Sequence, residues 1–274
     1  MADIAEVDTI EVSLSYLADS GEQLVTHVAA PGGRDARVKG GGVETHLVSM
    51  HNGRPLADRF RFEREGFRFM PHQSRVADFF DDSEVRRVYY PECEALIKSV
   101  SGAKRVVVFD HTLRTASDEE RETRKIRDVV RRVHNDYTEW SGPQRVRDIM
   151  GDEAEDLLTG RFAIIQVWRP INHPVENHPL AICDAQTISP DHLVVNERHY
   201  QDRVGQTYAI THDPAERWYW FPRMRPDEAL VFKVYESLKD GRARWTAHTA
   251  FADPNAPPHA RPRESIEIRT LAFF

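Results

Sequence analysis

Cysteine is nearly absent from this sequence: Cys93 and Cys183 are the only two, with no Cys-x-x-Cys pair. That excludes a disulfide framework and a cysteine-rich zinc site, and it fits a reducing, cytoplasmic home. No apolar run approaches the ~20 residues that a membrane-spanning helix needs. The opening stretch MADIAEVDTIEV has no basic region followed by an apolar one, so no secretory signal is expected there. Glycine and proline, 14 and 16 residues of 274, are too few for a low-complexity chain. An excess of positive charge is also missing. The 37 Lys and Arg stand against 44 Asp and Glu, a net charge of −7, which speaks against a dedicated nucleic-acid binder. The run Arg121–Arg132 (RETRKIRDVVRR) is the local exception, and its interleaved acids make it read as a solvated face.

What remains is a folded globular chain, 40% hydrophobic and long enough to bury a core without staples. Thr9–Tyr16, Gln23–Ala29 and Val43–Met50 read as strands, and Pro31–Gly42 between them as a flexible loop. Asp81–Tyr89 and Pro91–Val100 read as two helices, with Asp81, Asp82 and Ser83 as capping types and Pro91 at a first helical position. Arg105–Phe109 reads as a short buried strand. From residue 126 onward short strands dominate: Val129–Tyr137, Phe162–Trp168, Leu180–Cys183, Thr207–His212, Trp218–Phe221, Ala229–Tyr235, Arg244–Phe251 and Ser265–Phe273. A helical interruption lies at Gln144–Leu158. Strands that do not alternate with helices point to a mainly β chain with flanking helices and a double-stranded β-helix, or jelly-roll, core. The expected organisation is one domain over 1–274, with a β-rich extension at 1–60 and the jelly-roll core at 126–274.

The sandwich interior is the natural place for chemistry. In His134-Asn135-Asp136 the imidazole and the carboxylate, two residues apart on a strand, project from one face. With a second, distant imidazole they make the two-His-one-carboxylate triad that holds Fe(II) and leaves positions open. His248 is the candidate, because Arg263-Glu264-Ser265 follows it in a His-x(14)-Arg-x-Ser arrangement. Arg263 and Ser265 share a strand face, and a guanidinium with a hydroxyl suits the distal carboxylate of a diacid such as 2-oxoglutarate. Arg269 lies on the same face and is the alternative anchor; Arg261 is a third. His173 and His178 sit in a proline-containing stretch and His212 at a strand end, so these read as surface or substrate-pocket residues.

Five blocks, VHNDYTEWSG (133–142), PLAICDAQTI (179–188), RWYWFPRMRPDEALVFKVYES (217–237), AHTAFADP (247–254) and PRESIEIR (262–269), resemble the gibberellin desaturase and cephem methoxylase-subunit family, with its fungal hydroxylase/desaturases. The resemblance covers roughly residues 60 to 274. It implies an Fe(II)- and 2-oxoglutarate-dependent oxygenase that uses dioxygen on a small organic metabolite and releases succinate and carbon dioxide. By motif, His134, Asp136 and His248 would ligate iron, and Arg263 with Ser265 would bind 2-oxoglutarate. Related iron halogenases carry a small residue where Asp136 stands, so the carboxylate favours hydroxylation or desaturation. Two other readings stay beside this one: a cupin-like metalloenzyme that needs no oxo acid, and a non-catalytic subunit of a two-component oxygenase. The cluster Trp218-Tyr219-Trp220-Phe221 reads as strand core with alternate faces buried rather than a stacking surface for substrate, and Arg114 and Arg169 as structural salt-bridge partners ahead of contacts to a substrate carboxylate.

Overall fold

The computed structural model describes residues 8–18, 20–29 and 36–274. In chain order its strands are β1 (Thr9–Ala18), β2 (Leu24–His27), β3 (Ala36–Lys39), β4 (Gly42–Asn52), β5 (Phe67–Pro71), β6 (Arg105–Thr115), β7 (Arg127–Asp128), β8 (His134–Asn135), β9 (Phe162–Pro170), β10 (Leu180–Cys183), β11 (Leu193–His199), β12 (Val204–Ile210), β13 (Trp218–Trp220), β14 (Glu228–Glu236), β15 (His248–Ala250) and β16 (Glu264–Phe273). They form a ten-stranded sheet, β1-β4-β13-β10-β15-β8-β12-β11-β2-β3, and a six-stranded sheet, β5-β14-β9-β16-β6-β7. The expected jelly roll is the architecture found.

Side-chain alternation builds the layers. In β13, Tyr219 packs with Phe69, Trp168, Leu230 and Phe232 between the sheets, whereas Trp218 and Trp220 bury on the opposite face with Tyr16 and Met50. The outward residues of the small sheet, Ile165, Val167, Ile266 and Ile268, are covered by Tyr89, Cys93 and Ile97 of a helical segment. With apolar residues outward, the inward face of β16 is free to carry Ser265, Glu267 and Arg269, all in register with β9. The register of β16 on β6 shifts between Arg269, opposite Asp110, and Thr270, opposite Val108. Phe109 is thereby the extra residue of a bulge, and Phe109 and Asp110 both line one cavity.

Several local expectations need correction. The two helices around Pro91 are one continuous helical run, because a π turn at Val85–Tyr89 joins Asp82–Glu84 to Tyr90–Ser101. Proline lacks the N–H for an interior bond and its ring crowds the carbonyl four residues back, which the widened turn relieves. Asp81 caps the run as read, accepting from the backbone of Ser83 and Glu84. Of the presumed loop Pro31–Gly42, residues 31–35 lie outside the described residues, as do 1–7, but Ala36–Lys39 pairs with β2. Val129–Tyr137 is reduced to the two-residue β8, and Asp136 follows that strand. Strands β5 and β11 and the helix Asp118–Arg124 were not expected. Arg121 in that helix is 5% exposed and paired with Asp118 and Asp128, so the Arg-rich run is only partly a solvated face. Arg169 donates to the carbonyls of His72 and Pro226, and Arg114 to that of Asp128, so both serve backbone rather than carboxylates.

The outer face of the large sheet holds a titratable group with a measurable consequence. Glu216 accepts from the Tyr16 hydroxyl at 2.6 Å and the Trp218 indole at 3.1 Å, and its other oxygen is buried without a partner. Burial pushes its carboxyl up from 4.5 to about 7, against those two hydrogen bonds. The folded state therefore keeps a proton that the unfolded chain releases, and this contribution to stability declines as pH rises between those two values. Glu216→Gln should accordingly stabilise the fold near pH 8 more than near pH 5, by up to about 3 kcal/mol, seen as a larger rise in melting temperature at the higher pH. Equal shifts at both pH values would contradict this assignment.

Candidate active site

Strands β8 and β15 are antiparallel neighbours with His134 opposite His248, which brings together two residues 114 positions apart. Their ring centroids are 4.3 Å apart. Each Nδ1 meets a backbone carbonyl, that of Arg132 at 2.8 Å for His134 and that of Thr246 at 3.0 Å for His248. This fixes Nδ1–H as the donor and leaves both Nε2 lone pairs available, the arrangement usual for a metal-ligating histidine. Ligand atoms of His134, Asp136 and His248 all lie within 4.8 Å of one another. Burial, helped by the neighbouring His134, brings the His248 imidazole down to about 4, so it is neutral at physiological pH.

The small sheet supplies the other side. Phe232, Gln166 and Arg269 form one cross-strand row. Phe232 packs edge-on against His248 at 4.9 Å, Gln166 donates Nε2 to Asp136 Oδ2 at 2.5 Å, and Arg269 Nε lies 3.4 Å from the same oxygen. Burial opposes ionisation of Asp136, but the His134 ring, 3.4 Å away, and the Arg269 cation outweigh it and hold the carboxyl well below its usual range. The triad carboxylate is thus ionised and oriented.

Arg263 is 2% exposed. It donates Nη1 to the His178 carbonyl at 2.8 Å, and its guanidinium lies over Trp168 at 5.4 Å. Trp168 pairs with Glu267 across β9 and β16. The Arg263 Nε and the Ser265 hydroxyl are both buried without hydrogen-bond partners. Burial, reinforced by Arg114, brings the Arg263 guanidinium down to about 9. Two buried donors without acceptors and a cation pressed toward neutrality are what a carboxylate would satisfy. Arg269 differs: it already holds Asp110 at 3.1 Å, Thr112 at 2.8 Å, Glu267 and Asp136. Arg261 pairs with Glu176. His173 lies 3.8 Å from Glu264, His178 offers its carbonyl to Arg263, and His212 stacks on His46, so none of the three joins the cluster.

Two contributors were missed. Asn135 points opposite to the ligands that flank it, fully buried, and donates to the carbonyls of Tyr137 and Val234 at 2.8 and 3.0 Å while accepting from the Thr246 backbone. It ties β8 to β14 and to the segment leading into β15. A polar residue between two candidate ligands on a strand was the available signal. Gln166, in the otherwise apolar strand FAIIQVWRP, was the other.

Residues 14–273 match the family described as oxidoreductase/YMDC permease-like domain. The chain is 31% identical to the alpha-ketoglutarate-dependent dioxygenase phiK of a fungal species, over 98% of each chain. It is 34% identical to the Fe(II)/2-oxoglutarate-dependent dioxygenase nvfI of Aspergillus novofumigatus, over 83% of each. The solved structure of the iron and alpha-ketoglutarate-dependent endoperoxidase NvfI superposes with a TM-score of 0.85 at 29% identity, covering 97% of this chain and 98% of that one.

Proposed function

This chain belongs to the oxidoreductase/YMDC permease-like family and stands among Fe(II)/2-oxoglutarate-dependent dioxygenases, and we propose that it hydroxylates or desaturates a small organic metabolite, with His134, Asp136 and His248 as iron ligands and Arg263 with Ser265 holding the distal carboxylate of 2-oxoglutarate. The observation that carries this reading is the convergence of the three ligand atoms, within 4.8 Å, from β8 with the residue that follows it and from β15. Two imidazoles and one ionised carboxylate occupying one face suit a ferrous ion and leave room for a chelating oxo acid. The partnerless Arg263 Nε and Ser265 hydroxyl support 2-oxoglutarate over a cupin-like reaction without an oxo acid, which would leave those donors idle.

Bound iron and 2-oxoglutarate supply dioxygen-driven decarboxylation of the oxo acid to succinate and carbon dioxide, coupled to oxidation of a substrate C–H bond. The protein's own residues set the conditions for this. The carbonyls of Arg132 and Thr246 fix the tautomer of each imidazole, Gln166 and Arg269 aim Asp136, and Phe232 shields His248 from water. We also read the chain as one domain, and two buried unpaired cysteines support a cytoplasmic location.

Calorimetric titration with 2-oxoglutarate tests the proposal. Binding should be at least about tenfold tighter with Mn(II) present than in its absence, as expected when one end of the oxo acid rests on the metal. Equal affinity in both conditions would remove the oxygenase reading, and succinate release on adding Fe(II) and air separates an enzyme from a binding subunit.

A further inference from the structure

Residues 171–179 cross from β9 to β10 and carry His173 and His178, neither of which joins the metal cluster. What this connection does touch is the approach to β16. Asn172 donates Nδ2 to Glu264 Oε2 at 2.7 Å, Glu176 accepts from the backbone N–H and the Nε of Arg261 at 2.7 and 2.9 Å, and the His178 carbonyl accepts from Arg263 Nη1 at 2.8 Å. Arg261, Arg263 and Glu264 are thus each held by a different residue of one connection. Backbone bonds seat it further, since Ile171 donates its N–H to the Glu264 carbonyl at 3.0 Å and Val175 to that of Met224 at 2.9 Å.

Both ends of the connection bend through an uncommon backbone state. Of the four non-glycine residues with positive φ among the described residues, two are here, Asn172 at 62° and His178 at 51°. Asparagine and histidine enter this left-handed region at modest cost, whereas a β-branched residue does so only under strain. Asn177 fixes the second bend: its Oδ1 accepts from the His178 N–H at 2.7 Å and from the Asp253 N–H at 3.1 Å, which ties the connection to the loop after β15. The ring of His178 contributes less, because its Nδ1 is buried without a partner.

The consequence falls on Arg263. Its guanidinium is a planar fork of N–H donors, 2% exposed, lying over Trp168 at 5.4 Å. Contact with a ring leaves such a fork free to turn in its own plane, and the carbonyl on Nη1 removes that freedom. The partnerless Nε–H is then left as the donor for an incoming anion. Building on the reading of Arg263 and Ser265 as the oxo-acid anchor, we propose that His178 is a positioning residue for 2-oxoglutarate, its left-handed backbone presenting the carbonyl that locks the Arg263 fork in the orientation that receives the distal carboxylate. The site needs the backbone conformation at residue 178, not the imidazole.

The test is a substitution series at this position, read by calorimetric titration of the Mn(II)-loaded full chain with 2-oxoglutarate and with 2-oxopentanoate, which keeps the chelating end and lacks the distal carboxylate. Wild type should prefer 2-oxoglutarate at least about tenfold. His178→Val should weaken 2-oxoglutarate at least about tenfold, while its affinities for 2-oxopentanoate and Mn(II) change less than about threefold. His178→Asn and His178→Gly, which accept the left-handed state, should bind 2-oxoglutarate within about threefold of wild type. His178→Ala should fall between glycine and valine, and its weaker binding than His178→Gly decides the matter if His178→Val lacks a cooperative melt. Equal 2-oxoglutarate affinity along the series overturns the inference. So does a loss in His178→Asn and His178→Gly as large as in His178→Val, which assigns the effect to the imidazole, or a matching loss of 2-oxopentanoate or Mn(II) binding in His178→Val, which marks general damage. Wild type that binds the two oxo acids equally removes the anchor reading and this inference with it, whereas a wild-type preference for 2-oxoglutarate with a flat series removes the inference alone.

Discussion

Substrate-independent succinate formation is expected to fall by roughly 10³-fold or more in His248→Ala, a loss of about 4 kcal/mol in the barrier if turnover needs all three ligands. His248 is 2% exposed and lies opposite His134, so its removal leaves two ligands and an apolar gap beside Phe232. A metal held by one imidazole and one carboxylate dissociates readily, and neither His173, His178 nor His212 is placed to substitute. The loss should appear equally as lost Mn(II) binding, while circular dichroism and the cooperative melt persist. Turnover within tenfold of wild type would exclude His248 as a ligand.

The second large effect separates Arg263, just ahead of β16, from Arg269 within it. Arg263→Leu should raise the KM for 2-oxoglutarate about 100-fold or more, because a buried carboxylate loses a charged donor, which costs about 2–5 kcal/mol. Mn(II) affinity should change little, since Arg263 touches none of the three ligands. Arg269→Leu should do the reverse. It removes the cation that holds Asp136 and Glu267, so metal binding weakens first. If Arg269→Leu instead produced the selective KM effect, the anchor assignment would pass to Arg269.

The contrast shows what could be read from residues alone. Face-sharing in a strand identified Arg263, Ser265 and Arg269 together; Ser265 and Arg269 stand in register with β9, while Arg263 immediately precedes β16. What alternation cannot supply is occupancy: Arg269 is consumed by Asp110, Thr112, Glu267 and Asp136, none adjacent in sequence apart from Glu267. The pair His134 and Asp136 was legible from spacing, although the supporting strand is only two residues long and owes its position to Asn135 and to pairing with β12 and β15. Strand β11 escaped notice because LVVNERH turns polar halfway along. Asn196 and Arg198 line the cavity, so the strand lacks the apolar face that sequence periodicity detects. The helical run across Pro91 escaped for a related reason, since a π turn leaves no compositional mark.

The parallel pairing of β4 with β13 and of β2 with β11 means that strands β1 to β4 are woven into the same sheet as the ligand-bearing strands. Without them, Trp218 and Trp220 would lose Tyr16 and Met50 as cover, and two raw strand margins would invite pairing with other copies. Shortening this protein from its front end is therefore a route to insoluble material rather than to a minimal catalyst, and loops such as that between Glu236 and His248 are the safer places to trim.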